Sequence, residues 1–328
     1  MLKLPRFLIT AVAALLLVSC AAGGQSELGN GGTTSANDGA EWSYTFSDST
    51  GADVTLTARP KKIAVLFSSY ADIWVTAGGN VDITVGEAVE RGFAGESAVL
   101  VDAGAGHTTI DLETLTSESP DLVIGTADYA CQTNAVDFCR SVGIPAALFR
   151  VESFSDYLGV LEIFCNITGE DARYETYGIK VKEQIDALFD LISSADSTPS
   201  ILFVRAGSSA KSTKAKTTSD NFACVMLSEL GARNIADTNN ELSSSLSLEA
   251  ILVEDPDYLF ITTMGDEAAA KDYMNSLLAA DGWKDLACVK ENRYFYLPKD
   301  LFHFKPNARW AEAYEILADI LYPDSSAE

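Results

Sequence analysis

Residues 110–126, IDLETLTSESPDLVIGT, recur without a gap as residues 246–262, LSLEAILVEDPDYLFIT. Leu112, Glu113, Glu118, Pro120, Asp121 and Thr126 of the first copy match Leu248, Glu249, Glu254, Pro256, Asp257 and Thr262 of the second. Each copy reads as one unit. Asp111 or Ser247 caps a short helix, Pro120 or Pro256 stops it, and a buried strand follows. Copies this far apart predict two similar lobes rather than a solenoid, whose period is about 20–50 residues. Two lobes that face each other make the cleft between them the first place to look for function.

The length of 328 residues leaves room for two ordinary domains, and 47% hydrophobic residues support packed cores. A formal net charge of -24 leaves no basic face for phosphates, which excludes nucleic acid as a partner. The acidity itself fits solubility outside the cell.

The chain opens as an address. Lys3 and Arg6 precede an apolar run from Phe7 to Val18 that is short for a bilayer span. Leu17-Val18-Ser19-Cys20 looks like a bacterial lipobox, so residues 1–19 are expected to be removed and Cys20 to carry the lipid. Each buried methylene of such a chain contributes about 0.8 kcal/mol to membrane anchoring. Residues 20–41, rich in Gly, Ser, Thr and Asn, read as a flexible tether. Five cysteines then remain: Cys131, Cys139, Cys165, Cys224 and Cys288. On one helix, Cys131 and Cys139 would lie about 12 Å apart and could not pair. Cys131 with Cys165 is one reading; small buried thiols are the other.

Beyond the tether, alternation at 42–46 and 54–57 around a turn at 48–51 predicts a hairpin. The apolar run 63–67 suits a central parallel strand. Strands at 81–85, 122–124 and 146–149 alternate with helical stretches, and the pattern resumes at 201–204, 258–261 and 294–297. Residues 42–169 therefore form one α/β lobe and 198–323 another, with a short tail at 324–328. Between them, Tyr174, Tyr177, Val181, Ile185, Leu188, Phe189 and Ile192 recur at helical spacing within 170–197. A helix of about 24 residues there would be about 36 Å long and would restrict hinge motion. A last helix over 306–321 aligns Trp310, Tyr314, Leu317 and Leu321 as a core stripe.

Several segments carry a resemblance: DSTGADVTL from Asp48, RPKKIAVL from Arg59, Asp111-Leu-Glu with Ser119-Pro-Asp-Leu-Val-Ile, LGARNIA from Leu230, and Leu248-Glu-Ala-Ile with Asp255-Pro-Asp. In order and spacing they resemble the substrate-binding lipoproteins of ABC importers for iron-siderophores, haem and cobalamin, over residues 42–322. The resemblance implies an α/β fold of two Rossmann-like lobes joined by one long rigid helix. It also implies a metal chelate held between the lobes and delivered to a membrane permease with its ATPase. The chain is expected to be a monomer without a catalytic cofactor.

In open α/β sheets, ligands lie beyond the carboxyl ends of the strands. That rule selects Ser68, Ser69 and Tyr70; Ala127, Asp128 and Tyr129; Arg150; and Arg205, Gly207 and Ser208. Arginine there suits planar anionic groups such as siderophore or haem carboxylates, although each could instead pair with a local carboxylate. Lys211, Lys214 and Lys216 are either a solvated loop or an electropositive rim. Trp74 reads as helix packing or a cleft aromatic. The two histidines, His107 and His303, fall where the resemblance implies ligand-facing residues, and imidazole can coordinate iron or cobalt. Glu113 and Glu249 match the two glutamates with which such proteins dock onto their permease, although a helix dipole favours a first-turn carboxylate anyway.

Other classes fare worse. Gly-x-Ser-x-Gly, Walker-type and His-Glu-x-x-His motifs are missing from the sequence, and two histidines leave few acid–base options for an enzyme. Free metal-ion binding would want converging His, Asp and Glu ligands. A surface carrier or sensor without its own permease remains the alternative binding role.

Overall fold

The computed structural model describes residues 33–34, 42–102, 109–193, 198–244 and 246–323. The expected signal segment, Cys20, most of the tether, His107 and the tail 324–328 lie outside the described residues.

Alternation at the start of the first lobe produces the expected hairpin, Tyr44–Ser47 antiparallel to Asp53–Leu56. Asp48 holds its turn. The buried carboxylate accepts from the backbone N–H groups of Thr50, Ala52 and Leu148, and Arg140 pairs with it at 2.5 Å. Next comes a parallel sheet in the order Val99–Leu100, Ile83–Thr84, Ile63–Val65, Leu122–Thr126, Ala146–Phe149. Helices cover both faces of such a sheet, which is why Ile63–Val65 and Leu122–Thr126 are buried at every position. The chain reverses its direction of winding between Ile63–Val65 and Leu122–Thr126. That reversal opens a crevice beyond their carboxyl ends.

A second sheet repeats the plan. Ser200–Ala206 pairs in parallel with Tyr258–Thr263, which pairs in parallel with Tyr294–Tyr296. Its other edge carries Arg233–Asn234 in parallel at the start and Lys214–Ala215 antiparallel at the end. Winding again reverses beside the first strand.

The duplicated segment occupies the same place in both sheets. Leu112–Ser117 and Leu248–Glu254 are its helices, capped by the side chains of Asp111 and Ser247. Leu122–Thr126 and Tyr258–Thr263 are its strands. Ser119 and Asp255, the residues before the two prolines, both take a left-handed backbone, at φ 51 and φ 38. Proline disfavours the right-handed helical region for its predecessor, so the helix ends there. Asp121 and Asp257 then pin the strand before them. Asp121 accepts from the N–H groups of Lys61 and Lys62, and Asp257 from the N–H and hydroxyl of Ser200. Glu118 and Glu254 pair with Lys62 and Arg233.

Asp171–Tyr174 and Lys180–Ile192 make the expected connecting helix, with one wide π-helical turn between them at Glu175–Ile179. Gly178 permits the close approach at that turn, because a Cβ there would lie 2.8 Å from Leu158 Cδ1. Tyr157 Oη donates to the Tyr177 carbonyl at 3.0 Å across the same contact.

The apolar core of the first lobe continues through Val181 and Ile185 of this helix to Ile201, Phe203 and Phe260 on one face of the second sheet. A separate core fills the opposite face. Trp310, Tyr314, Leu317 and Leu321 are buried, as the stripe predicts. Trp310 meets Phe154 of the first lobe and Phe222 of the second edge-on, with centroids 6.4 and 5.7 Å away. Trp74 is also core: it packs edge-on against Phe164 and donates to the Asn80 carbonyl. All five cysteines downstream of the tether are thiols, four of them buried and Cys131 half-buried, so the Cys131–Cys165 reading gives way. Among the described residues no helix is long and apolar enough to cross a membrane.

Candidate ligand-binding cleft between the lobes

The two winding reversals face the same space. From the first lobe, Phe67, Ser69 and Tyr129 lie just past Ile63–Val65 and Leu122–Thr126, joined by Glu87 from helix Gly86–Glu90. Across from them stand Arg205 at the end of Ser200–Ala206, Asn221 at the cap of helix Phe222–Glu229, and the run Phe302 to Lys305. Counting its open mouth, the cleft encloses about 550 Å³. The space inside it is about 120 Å³, less than the range of about 300–1,000 Å³ usual for small-molecule sites.

Of the two cations that line the cleft, Lys305 is paired and Arg205 is not. Its Nε is buried and has no hydrogen-bond partner, and it forms no ion pair among the described residues. A buried unpaired donor is costly, and an anionic ligand would relieve it. His303 sits beside it as a neutral imidazole. Burial, with Lys299, Arg205 and Arg91 nearby, pushes its pKa down to about 4 against a weaker opposing pull from Glu87. Tyr129 stands edge-on to Phe67 at 5.9 Å, and burial raises its phenol pKa. Aromatic faces, a neutral imidazole and a guanidinium thus converge on one space.

Other expected residues do not reach it. Tyr70 is fully buried and donates to the Phe149 carbonyl at 2.8 Å, so it belongs to the core. Ser68 is buried too: it donates to Glu87 and accepts from Arg91, which ties the cleft wall together from behind. Arg150 pairs with Asp128 at 2.6 Å, the local pairing that an acidic chain offers. Gly207 is required by a tight turn, where a Cβ would lie 2.3 Å from Ser212 Oγ. Lys216 is committed to Asp220, and none of Lys211, Lys214 and Lys216 lines the cleft. Glu113 and Glu249 do not line the cleft. Each is the second residue of its helix, exposed, with no side-chain partner among the described residues.

A model of the periplasmic binding protein family matches residues 63–301. The chain belongs to that family. An uncharacterized ABC transporter substrate-binding lipoprotein, YvrC of Bacillus subtilis strain 168, is 25% identical over 288 residues, 87% of each chain. The periplasmic heme-binding protein RhuT from Roseiflexus sp. RS-1, in apo form, superposes with a TM-score of 0.64 at 19% identity, over 81% of this chain and 99% of its own. SirA of Staphylococcus aureus, solved complexed with staphyloferrin B, gives a TM-score of 0.64 at 16% identity, over 84% of this chain and 98% of its own. At these identities the structural likeness is one of fold.

This family member presents cleft residues that sequence reasoning passed over. Glu87 follows strand Ile83–Thr84, to which the carboxyl-end rule applies equally. Phe302, Phe304 and Lys305 flank His303, so one loop supplies four neighbours of the ligand space. That loop is also stapled to the first lobe. Arg91 lies over the Phe304 ring at 3.9 Å, and Lys305 pairs with Glu152 at 2.7 Å. Asn307 Nδ2 donates to the Ser69 carbonyl at 2.9 Å and to Asp72 Oδ2 at 2.7 Å.

Proposed function

We propose that this chain is the extracytoplasmic, lipid-anchored binding component of an ABC importer, which captures an anionic metal chelate between its lobes and hands it to a permease. The carrying observation is Arg205, which lines the cleft without an ion pair among the described residues. Carboxylates of a ferric siderophore or the propionates of haem would accept from its guanidinium, with Phe67, Tyr129 and Phe304 against the ring systems. A corrinoid would use the aromatic walls and leave the guanidinium less well matched. His303, neutral and in the cleft, has a lone pair for the metal, and His107 is a second candidate ligand. Ser69 adds a hydroxyl. Cys20 would hold the protein at the membrane, as the lipoprotein relative's name supports.

For delivery, Glu113 and Glu249 are the docking carboxylates. Three charged pairs are shared by the two copies of the repeat. Asp121 and Asp257 pin strands, and Glu118 and Glu254 form ion pairs. The remaining pair faces solvent on both lobes. Basic pockets on a permease would receive them. Replacing Glu113→Arg and Glu249→Arg together should abolish chelate uptake in cells and leave the affinity for chelate within about twofold. Lost affinity, or uptake at the wild-type rate, would count against docking.

A further inference from the structure

The two copies of the repeat differ where they face outward. On helix Leu248–Glu254, Leu252 and Val253 are 42% and 81% exposed. The matched positions on Leu112–Ser117 are Thr116 and Ser117, whose hydroxyls donate to their own helix at the carbonyls of Leu112 and Thr114. Leu252 and Val253 stand three and four residues after Glu249, which places all three side chains on one helical face. Single exposed apolar residues are ordinary, but an adjacent pair beside an unpaired carboxylate is a composite surface. It is also held rigidly. Asp255, which ends this helix in a left-handed conformation, accepts from the Ala287 N–H at 2.9 Å.

Resting on the docking reading above, we infer that Leu252 and Val253 form an apolar half of the second-lobe contact, seated against an apolar patch beside the permease pocket that takes Glu249. At the matched positions beside Glu113 the first lobe offers only hydroxyls. Charge brings the proteins together; the apolar edge adds a contact that salt does not screen and slows release.

The test uses the cognate permease–ATPase complex in nanodiscs and the full chain. Its affinity is measured at low and high salt for wild type, Leu252→Thr/Val253→Ser, Glu249→Gln, and Val142→Ser, a remote exposed control. The double variant carries the first lobe's type of side chain at both positions. It should bind the transporter at least tenfold more weakly at both salt concentrations, with chelate affinity unchanged. Glu249→Gln should weaken binding mainly at low salt, and Val142→Ser should match wild type. Wild-type affinity in the double variant, with Glu249→Gln still weakened, would overturn this inference and leave the docking reading standing. No weakening in either variant would remove the docking reading and this inference with it. A dimer that the double variant dissociates, at unchanged transporter affinity, would assign the edge to a second copy and overturn the inference as well.

Discussion

His303 shows how far a single residue departs from what its letter predicts. Its place in a loop near the ligand space is readable from sequence, but its charge state is not. Burial lowers its pKa most, and of the cations around the ring Lys299 is local while Arg205 and Arg91 are brought there only by folding. An unfolded chain would titrate this histidine near the ordinary value of about 6.5. The folded value of about 4 means that the native state refuses a proton the unfolded state accepts. Stability contributed by the neutral ring is therefore intact above pH 6.5 and is lost as pH falls from there toward 4. Melting temperature should fall between pH 7 and pH 4.5, and His303→Gln should shrink that fall. An identical pH dependence in both proteins would contradict a neutral, buried His303. Arg205 and Arg150 teach the complementary lesson. Both were marked by position and residue type, yet Asp128 claims one and nothing among the described residues pairs with the other.

Among the elements, the segment from Phe302 to Arg309 does two jobs. It lines the cleft from the second lobe while its own side chains reach the first. Asn307 is the central staple: fully buried, left-handed at φ 52, and bonded to Ser69 and Asp72. Burial raises the Asp72 pKa, and the Asn307 amide opposes that rise. Glycine keeps the left-handed backbone and removes only the amide. Asn307→Gly should thus cost about 1–3 kcal/mol in denaturant unfolding, the range for leaving buried polar partners unsatisfied. A loss below a few tenths would show that the staple holds nothing. The repeat gave away its helices and strands because capping, proline and apolar runs are local signals. What Asp121 and Asp257 do was hidden, since the backbone they pin lies far away in sequence.

For the whole molecule, the shared core matters most. Val181 and Ile185 of the connecting helix, with Trp310 between Phe154 and Phe222, make the two lobes parts of one packed body. Packing of that kind opposes wide hinging of one lobe against the other. Two-lobe architecture was legible from a duplicated segment and alternating elements. The wide turn at Glu175–Ile179 was not, because helical periodicity carries through it almost unchanged. Nor were the loop's contacts to the first lobe, which depend on how the lobes meet. Chelate capture is tested most directly by titrating the apo-protein with haemin, cobalamin and a panel of ferric siderophores while following tryptophan fluorescence, in wild type and Arg205→Gln. At least one anionic chelate should bind wild type more tightly than about micromolar, near -8 kcal/mol, and at least tenfold more weakly once Arg205 is replaced. Failure of every chelate to bind at that level, or equal affinity in the two proteins, would contradict it.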